Sequence, residues 1–249
     1  MYNEKSKTCL FVGDTHFHLV PNKKEEIKVE RFLKFLDMSK QVDELILLGD
    51  IFDFWFDYPH FRLRGYDSIL EKLDEVCAAG TRLRFIGGNH DIWAAAYFHK
   101  RYNTPESAEA QNIHLDDTVI RLIHGDGLLG KDFLYSGFRK IVRTRLGIFL
   151  AKSLHPELLY LFSKWLSGTS RKASRDEIPE IERKAENKLA SIDDHWDILI
   201  MGHIHHPMII ENQEKKLVSL GSWIGSESYG LWKEGRISLH DFADDSDPV

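Results

Sequence analysis

Cysteine is scarce. The 249 residues hold two, Cys9 and Cys77, and neither has the spacing of a metal knuckle or a redox pair, which rules out a disulfide framework and a thiolate metal site. Both are expected reduced and buried. Long apolar runs are also missing. The first residues, MYNEKSKTCLFVGD, carry a four-residue apolar run where a secretory signal needs a longer one, and no window has the uninterrupted apolar length of a membrane span. A cytoplasmic location is expected. Positive charge is in deficit, with 33 Lys and Arg against 39 Asp and Glu for a net charge of −6. That balance argues against a dedicated nucleic-acid binder, which shows a basic footprint over the whole domain. Internal repeats and low-complexity linkers are absent, and only the acidic tail ADDSDPV looks frayed.

What is present is ordinary globular composition, 43% apolar and 29% charged, enough to bury a core in one large domain or two small ones. Short apolar runs alternate with amphipathic stretches. CLFVGD (9 to 14), ELILLGD (44 to 50), RLRFIGG (82 to 88), TVIRLIHGD (118 to 126) and DILIMGH (197 to 203) read as strands. KEEIKVERFLKFLDM (24 to 38) and YDSILEKLDEVCAAG (66 to 80) repeat apolar residues at helical spacing, the second closed by a C-cap glycine. After Gly202 the segments PMIIEN, KLVSLGSW and RISLHDF suggest antiparallel strands joined by polar turns. The class is α/β. Residues 131 to 190 interrupt the alternation with consecutive helical patterns and read as an inserted cap. Residues 1–130 and 191–243 then form the core, and 244–249 a flexible tail. The insertion is basic: from Lys131 to Arg175 ten Lys and Arg face two acids, 10 − 2 = +8, leaving −14 for the rest.

Each of the five strand patterns ends in residues that bind metals: D-T-H (Asp14, His16), G-D (Asp50), G-N-H-D (Asn89, His90, Asp91), H-G-D (His124) and G-H-I-H (His203, His205). A lone D-x-H or G-H-x-H usually marks a solvated loop, and a lone histidine is more often structural than a ligand. Five such motifs, each directly after a strand pattern, are improbable as background. In α/β sheets ligands collect at the carboxyl ends of strands, so Asp14, His16, Asp50, Asn89, His124, His203 and His205 can meet at one edge. Seven N and O donors suffice for two ions, with Asp50 as the bridge. Imidazole, carboxylate and amide oxygen without thiolate suit Mn, Fe or Zn, and Mn2+ is the expected pair. Two such ions acidify water and clamp the oxygens of a phosphoryl group. His18 is assigned to the surface and His206 beside the site. His60, His99, His114, His155, His195 and His240 take the structural reading.

The stretch GDIFDFWFDY (49 to 58) sets three carboxylates among aromatic rings, and a buried charge without a partner is costly. Cations would neutralise Asp50. Asp53 either caps a following helix or accepts from a ligand imidazole, and Asp57 is expected to be exposed. Phe54, Trp55 and Phe56 either wall the site or pack in the core.

The ordered set of motifs resembles the calcineurin-like metallophosphoesterase superfamily over residues 8 to about 225. The resemblance implies an αββα two-sheet sandwich with a dinuclear centre. One ion would be held by Asp14, His16, Asp50 and His205, the other by Asp50, Asn89, His124 and His203. His90 would face the substrate phosphate and protonate the leaving oxygen, with Asp91 orienting it. GDIFDFWF, H-G-D followed by Asp132 and Tyr135, T-S-R at 169 to 171 and the closing GHIHHP resemble, within that superfamily, the UDP-2,3-diacylglucosamine pyrophosphohydrolases of lipid A biosynthesis. This implies an amphiphilic UDP-sugar lipid as substrate, contacts from Asn89, His90, Asp132, Ser170 and Arg171, and a peripheral place on the cytoplasmic face of the anionic inner membrane through the basic cap. A cap that merely shields the core is the plain reading of the same residues. One departure stands out: well-known members carry arginine where this chain has His90, so pyrophosphate recognition can differ. Other hydrolases on the same centre, acting on nucleotides or small phosphomonoesters, compete with this reading, as does a silent binding module.

Overall fold

In the computed structural model the described residues are 6–56, 63–105, 110–129, 158, 178–192, 195–212 and 214–243. The first sheet holds β1 (Cys9–Val12), β2 (Glu44–Leu47), β3 (Arg82–Phe85), β9 (Ser228–Lys233) and β10 (Arg236–Asp241) in the order β10-β9-β1-β2-β3. The second holds β4 (Gln111–Leu115), β5 (Thr118–Ile123), β6 (Ile198–Met201), β7 (Pro207–Glu211) and β8 (Lys216–Leu220) in the order β4-β5-β6-β8-β7. β1, β2 and β3 run parallel, as do β5, β6 and β8. The pairings of β9 with β1 and β10, of β4 with β5 and of β7 with β8 are antiparallel.

Parallel strands buried on both faces read as unbroken apolar runs, and CLFV and ELIL are fully buried along their length. Successive side chains point to opposite faces, which sorts the core into layers. Leu10, Val12, Leu45, Leu47, Leu83 and Phe85 form one cluster with the helices α1 (Lys23–Met38), α2 (Asp67–Ala78) and α3 (Ala94–Tyr102) through residues such as Phe32, Leu70 and Phe98. Their alternates Cys9, Phe11, Ile46 and Leu48 meet Ile120, Leu122, Ile198, Ile200, Val218 and Leu220 of the second sheet. The far face of that sheet, with Leu199, Met201, Met208 and Leu217, takes Ala185 and Leu189 of α4 (Ile178–Ser191). The layers are therefore α, β, β, α.

The expected strands and helices are present within a few residues. Asn22 caps α1 by accepting from the Glu25 amide at 3.1 Å, with Glu25 and Glu26 placed to favour the positive end of the helix dipole. Of the three segments after Gly202, the last two part company: β8 pairs parallel with β6, whereas β10 pairs with β9 in the other sheet. α4, which the helical patterning groups with the insertion, rests on the second sheet. Residues 130–157 and 159–177 of that insertion lie outside the described residues, as do Asp57 and the tail.

Phe11 is fully buried between the two sheets. Removing such a ring leaves a cavity the rigid sheets cannot close, so Phe11→Ala is expected to cost about 3–5 kcal/mol in urea unfolding. A loss under about 1 kcal/mol would show that the sheets repack freely there.

Candidate metal centre

The carboxyl ends of β1, β2, β3, β5 and β6 open onto a single cluster. Asp14 and His16 follow β1, Asp50 follows β2, Asn89 and His90 follow β3, His124 follows β5, and His203 and His205 follow β6. Three sets of donor atoms lie mutually within 4.8 Å: Asp14, His16 and His205; His16, Asp50 and His90; and Asp50, His124 and His203. The third candidate oxygen, Asn89 Oδ1, lies 3.2 Å from His124 Nε2. Asp132, Ser170 and Arg171 lie outside the described residues.

The backbone is strained to achieve this. Asp14, His16, Asp50, His203 and His205 all have positive φ, between 46° and 70°. A left-handed conformation costs an L-residue about 1–2 kcal/mol, and such residues cluster where function over-determines them. Two glycines permit the close approach. A Cβ on Gly88 would stand 2.1 Å from Asp50 Oδ1, and one on Gly202 would stand 2.4 Å from Asp14 Oδ2.

Each buried carboxylate gives one oxygen to the backbone and turns the other to the cluster. The His203 amide donates to Asp14 Oδ2 at 2.6 Å, and the His90 amide donates to Asp50 Oδ1 at 2.8 Å. Asp50 Oδ2 is then ringed by Nε2 of His124, His16 and His90 at 3.4, 3.6 and 3.9 Å. Asp14 Oδ1 is buried with no hydrogen bond of acceptable geometry, although His205 Nε2 stands 3.2 Å away. His16 Nε2 also faces His205 Nε2 at 3.2 Å. Donors bound to one ion at about 2.1 Å, with angles of about 90–110°, lie about 3.0–3.4 Å apart. His205 Nε2 stands at that spacing from Asp14 Oδ1 and from His16 Nε2, as does His124 Nε2 from Asp50 Oδ2, with His16 Nε2 somewhat further from both carboxylates at 3.6 and 3.8 Å, and Asp14 Oδ1 has no hydrogen-bond partner within the protein. The set fits divalent metal ions.

Outer partners fix the rings. His124 Nδ1 meets the Leu48 carbonyl at 3.0 Å and His90 Nδ1 meets the Asp53 carbonyl at 3.0 Å. A carbonyl only accepts, so both Nδ1 atoms carry the hydrogen and both Nε2 atoms face the cluster. Asp53 Oδ1 stands 3.5 Å from His90 Nδ1 and 3.6 Å from His16 Nδ1, so of its two expected roles Asp53 takes the one beside the imidazoles. Asp91 behaves differently from expectation. Its carboxylate accepts the amides of Gly88, Asp50, Ile51 and Phe52 at 2.8–3.2 Å, which ties the β2 and β3 loops together, while the His90 ring is oriented by Asp53. The Leu48 carbonyl was invisible in the sequence because a main-chain acceptor leaves no residue-type signal. His18 is the partly exposed histidine expected, and His206 sits beside the cluster, 3.7 Å from Glu182. Phe54, Trp55 and Phe56 are core: Trp55 packs among Phe52, Tyr66, Tyr97 and Phe98, and Phe56 packs edge-on to Trp93.

Without cations, protons balance the charge. Burial disfavours the charged form of His124, but the Asp50 and Asp14 carboxylates and the Leu48 carbonyl outweigh it and raise the imidazole to about 10. Asp50 is held well below the usual carboxylate range by His124 and His90 despite its burial. His203 goes the other way, lowered to about 4 by burial and by the neighbouring His124 charge. Burial and the Asp50 charge raise Asp91 to about 6, against the pull of its backbone donors.

Fold and site together define a metal-dependent phosphoesterase. The model of the calcineurin-like phosphoesterase family matches residues 7–207, and the chain belongs to that family. It is similar to proteins named UDP-2,3-diacylglucosamine hydrolase. That of Hamiltonella defensa is 32% identical over 208 residues, covering 81% of this chain and 78% of the relative. That of Porphyromonas gingivalis is 26% identical over 221 residues, covering 80% and 84%. Among solved structures, a dimetal phosphatase from Danio rerio superposes with a TM-score of 0.52 at 14% identity, covering 96% of each chain, a likeness of fold.

Two outcomes follow from this geometry. Metal must displace the proton held by His124, so at every pH below about 10 binding releases protons and apparent affinity rises with pH. Calorimetry in buffers of different ionisation enthalpy reads the release directly, and a pH-independent affinity between 6 and 9 would contradict it. Asp91→Asn replaces one of the two acceptor oxygens, each serving two buried amides, with an NH2 group and is expected to cost about 1–3 kcal/mol of stability. Equal urea midpoints for the two proteins would show that the loops do not need it.

Proposed function

We propose that the chain is a two-metal hydrolase, with Mn2+ as its ions, that splits the pyrophosphate of UDP-2,3-diacylglucosamine into UMP and 2,3-diacylglucosamine 1-phosphate in lipid A biosynthesis. The observation that carries the reaction is the pair of donor sets, Asp14 with His16 and His205 and Asp50 with His124 and His203, linked by a third of His16, Asp50 and His90. The substrate is supported by the similarity to hydrolases named for it. Asp14, His16, Asp50 and His205 would hold one ion, and Asp50, Asn89, His124 and His203 the other. Bound there, divalent cations acidify water and draw negative charge from phosphoryl oxygens.

The chain's own groups do the rest. Asp50 Oδ2, central to three imidazoles, would be the ligand shared by the two ions. His90 directs its Nδ1 hydrogen to the Asp53 carbonyl, so Nε2 is the nitrogen that would meet the substrate. Water enters in line at the phosphorus nearer uridine, the P–O bond to the lipid phosphate breaks, and that phosphate leaves. A phosphate monoester has its second pKa near 6 (about 6), so the leaving oxygen needs little protonation. His90, with a hydrogen on both ring nitrogens, would then act mainly as a hydrogen-bond donor from Nε2 to the phosphoryl group. Asp132, Ser170 and Arg171 are proposed as further substrate contacts. The +8 charge between Lys131 and Arg175 would rest the enzyme on the anionic cytoplasmic face of the inner membrane. No helix among the described residues is long and apolar enough to cross a membrane.

One observation favours a second reading. His90 replaces an arginine fork with a single imidazole, which suits another phosphoester, such as a nucleotide or a small phosphomonoester. Purified protein with Mn2+ should turn over UDP-2,3-diacylglucosamine far faster than nucleotides or p-nitrophenyl phosphate, and the reverse order selects the second reading. In water enriched in heavy oxygen the label should appear in UMP. Its appearance in the lipid phosphate would refute attack beside uridine. His90→Gln is expected to lower kcat about 10²–10⁴-fold with metal content unchanged, checked by steady-state rates beside elemental analysis.

A further inference from the structure

We propose that Lys28 is a positioning residue for the metal centre: from α1 it clamps the turn carrying Asp14 and His16, and so sets the affinity for the ion held by Asp14, His16 and His205. The inference rests on the two-ion reading above. Lysine is almost never taken inside a protein unless paired, yet the Lys28 side chain is only 15% exposed. Its Nζ donates to the Thr15 carbonyl at 2.7 Å, to the His16 carbonyl at 3.4 Å and to Glu25 Oε1 at 2.9 Å. An ammonium has three hydrogens, and each has an acceptor. The charge also lies 4.9 Å from the centre of the Phe17 ring, within cation–π range.

The turn is gripped from two sides. On one, the amides of Asp14, His16 and Phe17 donate to the carbonyls of Gly49, Asp50 and Ile51 at 3.0, 2.8 and 2.9 Å. On the other, the carbonyls of Thr15 and His16 find their donor in Lys28. Glu25 extends the grip by accepting the His18 amide at 3.1 Å through the same oxygen that receives Lys28. The residues between these holds, Asp14 and His16, have φ of 51° and 46°. Strained backbone of this kind persists only when its surroundings over-determine it. With the carbonyl side released, the peptide planes at 15 and 16 can rotate and carry both ligands off their aim. The donor set of Asp50, His124 and His203 hangs on β2, β5 and β6: although the His203 amide reaches Asp14 and the Asp50 carbonyl takes the His16 amide, Asp91 accepts the Asp50 amide and the Leu48 carbonyl holds the His124 ring, anchors that do not pass through Lys28. Loss of Lys28 therefore separates the two ions, which a general loss of stability does not do.

The test is Mn2+ titration of the full chain, followed by calorimetry and by electron paramagnetic resonance. The wild-type chain should bind two ions as a spin-coupled pair. The double variant Lys28→Met with Glu25→Gln removes the pair without stranding a buried charge. It should bind one ion with near wild-type affinity and the other about 10–100-fold more weakly, so that the six-line signal of isolated Mn2+ appears at sub-saturating metal. Lys24→Met, on an exposed position of the same helix, should match wild type. Should the double variant not fold, Lys28→Arg carries the test, because a planar fork cannot place three donors at one point, and it too should weaken one ion selectively. Two ions at wild-type affinity in a folded variant, or equal weakening of both, overturn the role of Lys28. A wild-type chain that binds fewer than two ions overturns the two-ion reading instead.

Discussion

Two carboxylates, Asp14 and Asp50, are buried at the carboxyl edge of the sheets, and Asp14 Oδ1 has no hydrogen-bond partner in the protein. An ionised group in such surroundings must find positive charge or take up a proton. Here the answer is a ring of imidazoles whose nitrogens face inward at ligand spacing, and the rest of the molecule serves that arrangement. Five of the residues involved carry backbone strain, two glycines leave room for the carboxylates, and Leu48, Asp53 and Asp91 hold the loops from behind.

The four-layer core explains why the strain is tolerated. β1 and β2 are paired along their whole length and packed on both faces, so the loops leave from fixed points. Interiors this dense do not deform continuously. The loops can thus stay in conformations that an isolated peptide would abandon. Asp91 adds a tie of a different kind, since one side chain collects amides from two separate loops.

Much of this was legible in the sequence, for identifiable reasons. Strands buried on both faces leave unbroken apolar runs, so β1, β2 and β6 stood out, and metal-binding residues directly after them named the cluster. α1 was read from its periodicity to within a residue at its start. β4, β9 and α3 were not anticipated. QNIHL buries only Ile113 and Leu115, SYGLWK is interrupted by Gly230 and pairs with β1 at the far end of the chain, and AAAYFHKRY follows a turn without a capping side chain. The cross-over of β10 into the first sheet was hidden because pairing is decided by the partner strand. The site showed the same division. Side-chain donors were visible by type and position, whereas the job of Asp91 was not, since a carboxylate aimed at amides looks like one aimed at an imidazole until the loops are in place.

β5 and β6 lie side by side in parallel register although 74 residues, 124–197, separate Ile123 from Ile198. Their alignment is secured locally: the Val119 amide donates to the Asp197 carboxylate at 2.7 Å, and the Asp197 amide donates to the Val119 carbonyl at 2.9 Å. The cost of closing a loop grows only logarithmically with its length. Between His124 and α4 the connection can therefore change in length with little entropic penalty to the edge that carries the metal ligands. The register of β5 and β6 is thus independent of how long a detour the chain takes between them.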